Sequence, residues 1–481
     1  MPDLHETVLE AIRRRGAEYG DVRFTERKDE TVRVKNGSVE AVTAMESAGF
    51  GVRVLCDGAW GFCASSEVSA EEVVRVAEEA VAIARASARE RHEAVQLAPV
   101  KPTVDTYRTP VRQDPFEVKL EDRIALLLEA ERRMHAGGPI RVGEAEVSVR
   151  QERKRFYSTE GSAIDQVITQ AGGGMSATAI GNGEMQRRGY PNAHRGHFAS
   201  RGWEFIEDMD LIGQAERVGR EAVELLSAKQ CPSGRSDIIL DGRQLALQIH
   251  ESCGHPVELD RALGTEASLA GTSFLTPDKL GKFQYGSAAV NIVADATIEG
   301  GLGTFGYDDE GVPAQRTMVI DHGRFVNYLT SRETAPALGR AANGTMRADG
   351  WSRQPLIRMT NINLLPGDWD VDELIRDTKD GLYLEINRSW SIDDKRLNFQ
   401  FGTEVGWEIK DGALGAMVKN PTYTGITPEF WNSCDAVTDR RSWNLWGTPN
   451  CGKGEPGQVA RVGHGAAPAR FRNVRVGVGR W

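Results

Sequence analysis

The chain has 481 residues, 40% of them hydrophobic and 27% charged, which is ordinary for a globular protein and excludes a disordered or collagen-like chain. Its net charge of -10 argues against nucleic acid as the main partner, because a surface of that sign repels phosphate. The first residues lack the apolar core of a signal peptide, and no stretch has the roughly 18–20 apolar residues of a membrane span. We therefore expect a cytoplasmic protein without a membrane segment.

The first half of the chain alternates between helical and strand patterns. Residue pairs that tolerate positive φ predict tight hairpin turns at Asn36-Gly37 and Asp57-Gly58. Apolar residues at helical spacing predict three longer helices, which run from Ser69 to about Ala88, from Leu120 to Ala136 and from Glu204 to Ala228. Residues 229–234 (KQCPSG) then break the pattern, so we place the main domain boundary there.

The second half contains more strand and turn patterns. A short apolar strand from Ser236 to Leu240 precedes a helical segment from about Arg243 to His255, and strands follow almost to the end. The sequence thus predicts an α+β protein of two domains. Residues 1–230 would form an N-terminal domain of mixed helices and strands. Residues 231–481 would form a mostly antiparallel β-sheet domain that carries one inserted helix.

The inserted helix carries the residues best suited to chemistry. Residues 243–260 read RQLALQIHESCGHPVELD, so His250, Glu251 and His255 follow an apolar run. Two uncharged imidazoles supply half of a tetrahedral zinc site, and zinc lowers the pKa of bound water toward neutrality. In zinc peptidases with the H-E-x-x-H motif, the carboxylate after the first histidine takes the proton from that water. We therefore predict that Glu251 is a catalytic base beside zinc.

The spacing of the two histidines is five residues rather than four. On a regular α-helix a five-residue step rotates the side chain by about 140°, against about 40° for a four-residue step. Either the helix widens into a π-type turn, or it ends before His255. Gly254 and Pro256 favour the second option, because glycine relaxes the backbone and proline disfavours helix at the residue before it.

A catalytic zinc site needs a third protein ligand. The residues alone leave five candidates, which are Cys253 inside the motif, Glu258 and Glu266 just after it, and the distant Cys434 and Cys451. Cys253 and Cys434 are more simply interpreted as small core residues. The six cysteines are too scattered for a disulfide scaffold, so we expect reduced thiols.

Further motifs lie along nearly the whole chain. They are GVRVLCDGAWGF at residues 51–62, HESCGH at 250–255, DEGVP at 309–313, GRFVNYL at 323–329, RMTN at 358–361 and NCGKGEPGQ at 450–458. Together these motifs resemble the TldD/PmbA family, which is described as modulators of gyrase and as peptide maturation proteases. The combination is far more specific than the histidine motif by itself.

The resemblance implies a metal site and a partner. It implies that His250, His255 and Cys451 hold the metal and that Glu251 is the base, with Cys253 as an alternative thiolate. Zn²⁺ follows from imidazole and thiolate ligands. The expected substrate is an unfolded or extended peptide, bound as an added strand, and the expected assembly is a homodimer or a heterodimer with a related subunit. The alternatives are a non-catalytic scaffold subunit and a hydrolase of small amides or esters.

Overall fold

The computed structural model describes residues 4–181, 183–193, 195–268 and 271–477. Five helices precede residue 228 in these ranges, and they are α1 (Leu4–Arg14), α2 (Ala70–Ala88), α3 (Leu120–Ala136), α4 (Glu204–Asp208) and α5 (Leu211–Ser227). The strands of the same part are β1 (Tyr19–Lys35), β2 (Ser38–Cys56), β3 (Ala59–Ser65), β4 (Val104–Arg108), β5 (Ile140–Ser158), β6 (Ala163–Gly181), β7 (Glu184–Tyr190) and β8 (His197–Ala199).

These eight strands form one sheet in the order β3-β2-β1-β5-β6-β4, with β7 and β8 also paired to β6. The predicted turns join β1 to β2 and β2 to β3, and all four of their residues have positive φ. Apolar side chains of α1 and α2 pack on the β1–β2 end of the sheet, while α3 and α5 pack on β5 and β6. The sheet therefore has two separate hydrophobic cores.

The predicted single helix from Glu204 to Ala228 is wrong in one respect. The chain breaks between α4 and α5, where Asp210 has a φ of 49° and its carboxylate accepts a hydrogen bond from the Gly213 N–H. An aspartate at this position caps the free N–H groups of the following helix. Capping by Asp210 thus starts a new helix in the middle of a continuous apolar pattern.

The rest of the chain is mostly strand. The strands are β9 (Lys229–Gln230), β10 (Gly234–Leu240), β11 (Ile292–Asp295), β12 (Arg316–Asp321), β13 (Arg324–Phe325), β14 (Met346–Arg347), β15 (Leu356–Ile357), β16 (Ile362–Leu364), β17 (Asp380–Ile392), β18 (Asn398–Lys410), β19 (Ala413–Lys419), β20 (Thr422–Ile426), β21 (Cys434–Val437), β22 (Asn444–Lys453), β23 (Gln458–Ala466) and β24 (Ala469–Val476). The helices are α6 (Gly242–Ile249), α7 (Leu259–Leu263), α8 (Val371–Asp377) and α9 (Thr427–Asn432).

A second eight-stranded sheet dominates this part, in the order β17-β10-β24-β20-β18-β19-β9, with β21 paired to β24. Because β17 also pairs with β18, five of these strands close into a ring. Smaller sheets join β13-β12-β11-β16, β14-β15 and β22-β23. Most pairs are antiparallel, so the predicted α+β architecture with a mostly antiparallel C-terminal part is confirmed.

Helix α6 lies against this strand-rich half, where its apolar side chains Leu245 and Ile249 join the largest hydrophobic core. Buried ion pairs connect the two halves of the chain, including Arg53 with Glu310 at 3.0 Å and Lys154 with Asp309 at 2.8 Å. The DEGVP segment thus anchors the first sheet to the second half. No helix in the described ranges is long and apolar enough to cross a bilayer.

Candidate metal centre

Helix α6 continues past Ile249 into a wider turn. Residues His250–Gly254 form one π-helical turn, in which the His255 N–H donates to the His250 carbonyl, and a tight 3₁₀ turn follows over His255–Val257. The expectation that the helix ends before His255 is therefore wrong. The extra residue in the widened turn brings side chains five positions apart onto one face.

Gly254 has a packing role in this turn. A Cβ atom at this position would lie 2.1 Å from the Met359 sulfur, far inside van der Waals contact. Its φ of -77° is open to any residue, so the requirement is space rather than backbone conformation. Met359 belongs to the RMTN motif, and thus two motifs that are distant in sequence pack on each other.

The turn brings three donor atoms together. One ring nitrogen from each of His250 and His255 and the Cys451 sulfur lie within 4.8 Å of one another. The Cys451 Sγ is 3.8 Å from the His255 Nε2. Cys451 lies on β22 opposite Ala460 of β23, so this hairpin carries it to the helix. All three side chains are buried.

The second ring nitrogen of His255 has a carboxylate partner. The His255 Nδ1 lies 2.9 Å from the Glu258 Oε2, and Glu258 is fully buried. Burial by itself would raise the pKa of Glu258, but Lys453 and His255 outweigh it and hold that pKa well below its usual range. The ionised carboxylate fixes the proton on Nδ1 and leaves Nε2 free to face Cys451.

The second ring nitrogen of His250 contacts another histidine. The His250 Nδ1 lies 2.8 Å from the His464 Nε2, and His464 is also fully buried. Burial, followed by the neighbouring His250, lowers the pKa of His464 well below its usual value, so this ring is neutral. With His464 as acceptor, His250 carries its proton on Nδ1 and presents a free Nε2.

The electrostatic environment favours the metal-binding form of each donor. Burial lowers the pKa of both His250 and His255, which keeps the imidazoles uncharged at neutral pH. Burial would raise the pKa of Cys451, but the Arg358 guanidinium and the contact with His255 outweigh it, and the pKa is lowered. Neutral imidazoles and a thiolate are the forms that bind zinc.

Glu251 follows His250 in the π-helical turn, and Arg396 holds its carboxylate. The Arg396 Nη1 donates to the Glu251 Oε2 at 2.5 Å, with 17% and 9% of the two side chains exposed. Arg396 lies in the turn between β17 and β18 with a left-handed φ of 63°. A non-glycine residue in that region stores strain that surrounding contacts must hold, and Asp393 provides them by accepting from the Leu397 N–H.

The other predicted ligands lie elsewhere. Cys253 is a buried core thiol that accepts a hydrogen bond from the Tyr285 hydroxyl at 3.3 Å, and burial raises its pKa to about 12. Burial also raises the pKa of Cys434 to about 12. Glu258 contacts a ring nitrogen rather than joining the three donors, and Glu266 is not part of the group.

Sequence reasoning missed His464 and Arg396. They lie 214 and 145 residues from their partners in the chain. The only available signal for His464 was the rarity of histidine, with nine in the chain. An arginine in a polar turn gives no signal.

Sequence models of the PmbA/TldA metallopeptidase family match the chain in three segments. Domain 1 matches residues 20–84, the central domain matches residues 113–229, and the C-terminal domain matches residues 233–478. The third match alone contains the motif from His250 to His255 and also Cys451. It covers more than half of the chain.

Individual relatives agree with these matches. A metalloprotease of Methanocaldococcus jannaschii is 32% identical over 453 residues, which are 94% of this chain and 96% of that protein. A zinc metalloprotease TldD homolog of Saccharolobus solfataricus is 24% identical over 67% of this chain and 68% of its own. A Thermotoga maritima crystal structure, named as a candidate modulator of a DNA gyrase, has a TM-score of 0.77 at 17% identity over 98% of this chain and 99% of that one. The chain therefore belongs to the PmbA/TldD metallopeptidase family.

Proposed function

We propose that this protein is a zinc-dependent metallopeptidase that hydrolyses peptide bonds in unfolded or extended peptides. His250, His255 and Cys451 would hold the metal, and Glu251 would be the catalytic base. One observation carries the proposal, which is that three buried donors converge within 4.8 Å, with Glu251 next to His250 in the same π-helical turn.

The donor set fits zinc. Imidazole and thiolate are borderline-soft ligands that zinc prefers, whereas magnesium and calcium prefer oxygen. Three protein ligands are the number found in catalytic rather than structural zinc sites. The name of the Saccharolobus solfataricus relative includes zinc as well. When bound, the ion supplies Lewis-acid activation of water near neutral pH.

Glu251 would move the proton. Its carboxylate takes a proton from the attacking water and passes it to the leaving amine, as a general base and then a general acid. The salt bridge with Arg396 holds the Glu251 carboxylate in position for this role. Proton uptake weakens that salt bridge, because the neutral acid no longer attracts the guanidinium.

The experiment is metal analysis followed by a cleavage assay. We expect near one zinc per chain in the wild type, loss of zinc in Cys451→Ala, and retention in the matched control Cys434→Ala, which changes another buried thiol. We expect Glu251→Gln to keep zinc and to lose roughly 10²–10⁴-fold in peptide cleavage. Wild-type cleavage by Glu251→Gln would show that the base is wrong. A wild type that takes up no zinc would support the non-catalytic scaffold instead.

The substrate, the assembly and the compartment belong to the same proposal. An extended peptide can add to an exposed strand edge and be bound through its backbone, which suits a strand-rich protein. We propose a homodimer or a heterodimer with a related subunit, located in the cytoplasm. Light scattering of the purified chain, alone and with a related subunit, distinguishes the two assemblies.

A further inference from the structure

Three arginines that have no carboxylate partner among the described residues line one cavity beside the hairpin that carries Cys451, together with Arg150, which pairs with Asp29. The three are Arg347, Arg358 and Arg461, and Arg358 and Arg461 are only 1% and 9% exposed. No ion pair involving any of the three occurs within the described part of the chain. Burying a cation without a counter-ion is costly, so a protein that keeps three of them together normally pairs them with an anion.

Several donors of these arginines lack an acceptor. The Arg358 Nη2 donates to the Cys451 carbonyl, but its Nε has no partner among the described residues. The Nε and Nη2 of Arg461 are also buried, and neither has a hydrogen-bond acceptor in the part of the chain that the structure describes. Buried donors normally have partners, so unpaired N–H groups on a cavity wall indicate a ligand that accepts hydrogen bonds.

The carboxylates of the cavity wall do not fill this need, because each is engaged elsewhere. Asp309 and Glu152 pair with Lys154, Asp349 pairs with Arg27, and Asp308 accepts three backbone N–H groups. Two of the three arginines lie in surroundings that disfavour their positive charge. Burial, followed by neighbouring arginines, lowers the pKa of Arg347 to about 10 and that of Arg461 to about 9.

The size and position of the cavity restrict the ligand. Its volume of about 60 Å³ holds a few waters or one carboxylate group, but not a peptide segment. Val459, which lines it, is 46% exposed, so the cavity reaches the surface. Ala460 of the same wall pairs with Cys451 across the hairpin, which places the cavity next to the metal cluster.

We propose that this cavity binds a carboxylate of the peptide substrate. Guanidinium groups match the planar, two-oxygen geometry of a carboxylate better than any other side chain does. The carboxylate is either the C-terminal group or the side chain of an acidic residue near the cleaved bond. The substrate class rests on the proposed peptidase function, whereas carboxylate binding itself does not require hydrolysis.

The test measures binding directly. Calorimetry on the full-length, zinc-loaded Glu251→Gln variant compares acetylated hexapeptides that differ in one group. One pair has a free carboxylate or an amide at the C-terminus, and a second pair, both amidated, has an internal glutamate or glutamine. We expect one carboxylate peptide to bind roughly 10–100-fold more tightly than its amide partner, because it gains charged hydrogen bonds. The pair that shows the difference identifies the source of the carboxylate.

Variants assign the effect to the cavity. Arg461→Gln should remove the difference, whereas the matched control Arg475→Gln, which changes an exposed arginine on β24, should keep it. If Arg461→Gln does not fold, acetate should compete with the carboxylate peptide in the unchanged cavity, and acetamide should not. Equal binding of all four peptides, or a difference that survives Arg461→Gln, would overturn the proposal. If the wild type takes up no zinc but the carboxylate peptide still binds more tightly than its amide partner, the peptidase assignment fails and the carboxylate site stands.

Discussion

Replacing Glu258 with glutamine tests how the protein positions His255. The change removes a buried negative charge. It leaves an amide oxygen that can accept the hydrogen bond from the His255 Nδ1–H, which the Glu258 Oε2 accepts at 2.9 Å in the wild type. The other oxygen, Oε1, has no hydrogen-bond partner among the described residues, so the new NH₂ group can take its place without displacing a donor. The variant therefore isolates the charge from the hydrogen bond.

The expected effect follows from the contacts. Loss of a carboxylate behind a metal-bound histidine typically costs 10–100-fold in metal affinity, or about 1.4–2.7 kcal/mol. Glu258→Gln should lie near the lower figure, because the hydrogen bond persists. Glu258→Ala is a poorer test, since it removes the hydrogen-bond acceptor of His255 together with the charge and leaves a cavity beside Lys453 and Arg261. Its effect on zinc affinity would therefore combine three causes.

The assay is zinc competition with a chromogenic chelator, with urea unfolding as a check of the fold. Glu266→Gln is the matched control, because Glu266 is a half-buried acid eight residues away that does not contact His255. We expect the control to keep the wild-type zinc affinity. A folded Glu258→Gln variant whose affinity lies within about twofold of the wild type would refute the reasoning that the carboxylate acts through His255.

Three further predictions follow from the structure. Gly254→Ala, whose Cβ would lie 2.1 Å from Met359, should lose about 1–3 kcal/mol in urea unfolding and recover part of it with Met359→Ala. His464→Phe keeps the ring volume but leaves His250 without an acceptor, so zinc affinity should fall roughly 10–100-fold in chelator competition. Burial, and to a lesser extent the charge of Arg201, lowers the pKa of His197 from 6.5 to about 3. Below pH 6.5 the unfolded chain therefore binds a proton that the folded protein does not, and stability falls as the pH falls from 6.5 toward 3. His197→Asn should reduce that fall in urea unfolding at pH 7 and pH 5.

Each of these predictions has a contrary outcome. Wild-type stability of Gly254→Ala would mean that Met359 moves aside at little cost. Unchanged zinc affinity in His464→Phe would mean that water replaces the lost acceptor. Equal loss of stability between pH 7 and pH 5 in the wild type and His197→Asn would mean that His197 titrates normally in the folded protein.

Local interactions explain why many elements were predictable. The N-cap of α2 is Ser69, whose side chain accepts from the Glu72 N–H three residues later, so its whole signal lies within one turn of helix. The turn at Asn36-Gly37 depends only on the two residues that adopt positive φ. The length of β2 has no such local signal, because the first part of the strand is mostly exposed and carries no alternating apolar pattern.

The candidate site divides in the same way. The sequence alone identified His250, Glu251 and His255, because they lie within six residues and their spacing has a chemical meaning. It left five candidates for a third ligand, and the ligand roles stay predictions until metal is measured. Only the tertiary structure brought Cys451, 196 residues from His255, to the histidines and turned Cys253 toward Tyr285. The pairing of β22 with β23 and the packing of Met359 on Gly254 decide these positions, and such long-range contacts depend on burial that no local pattern encodes.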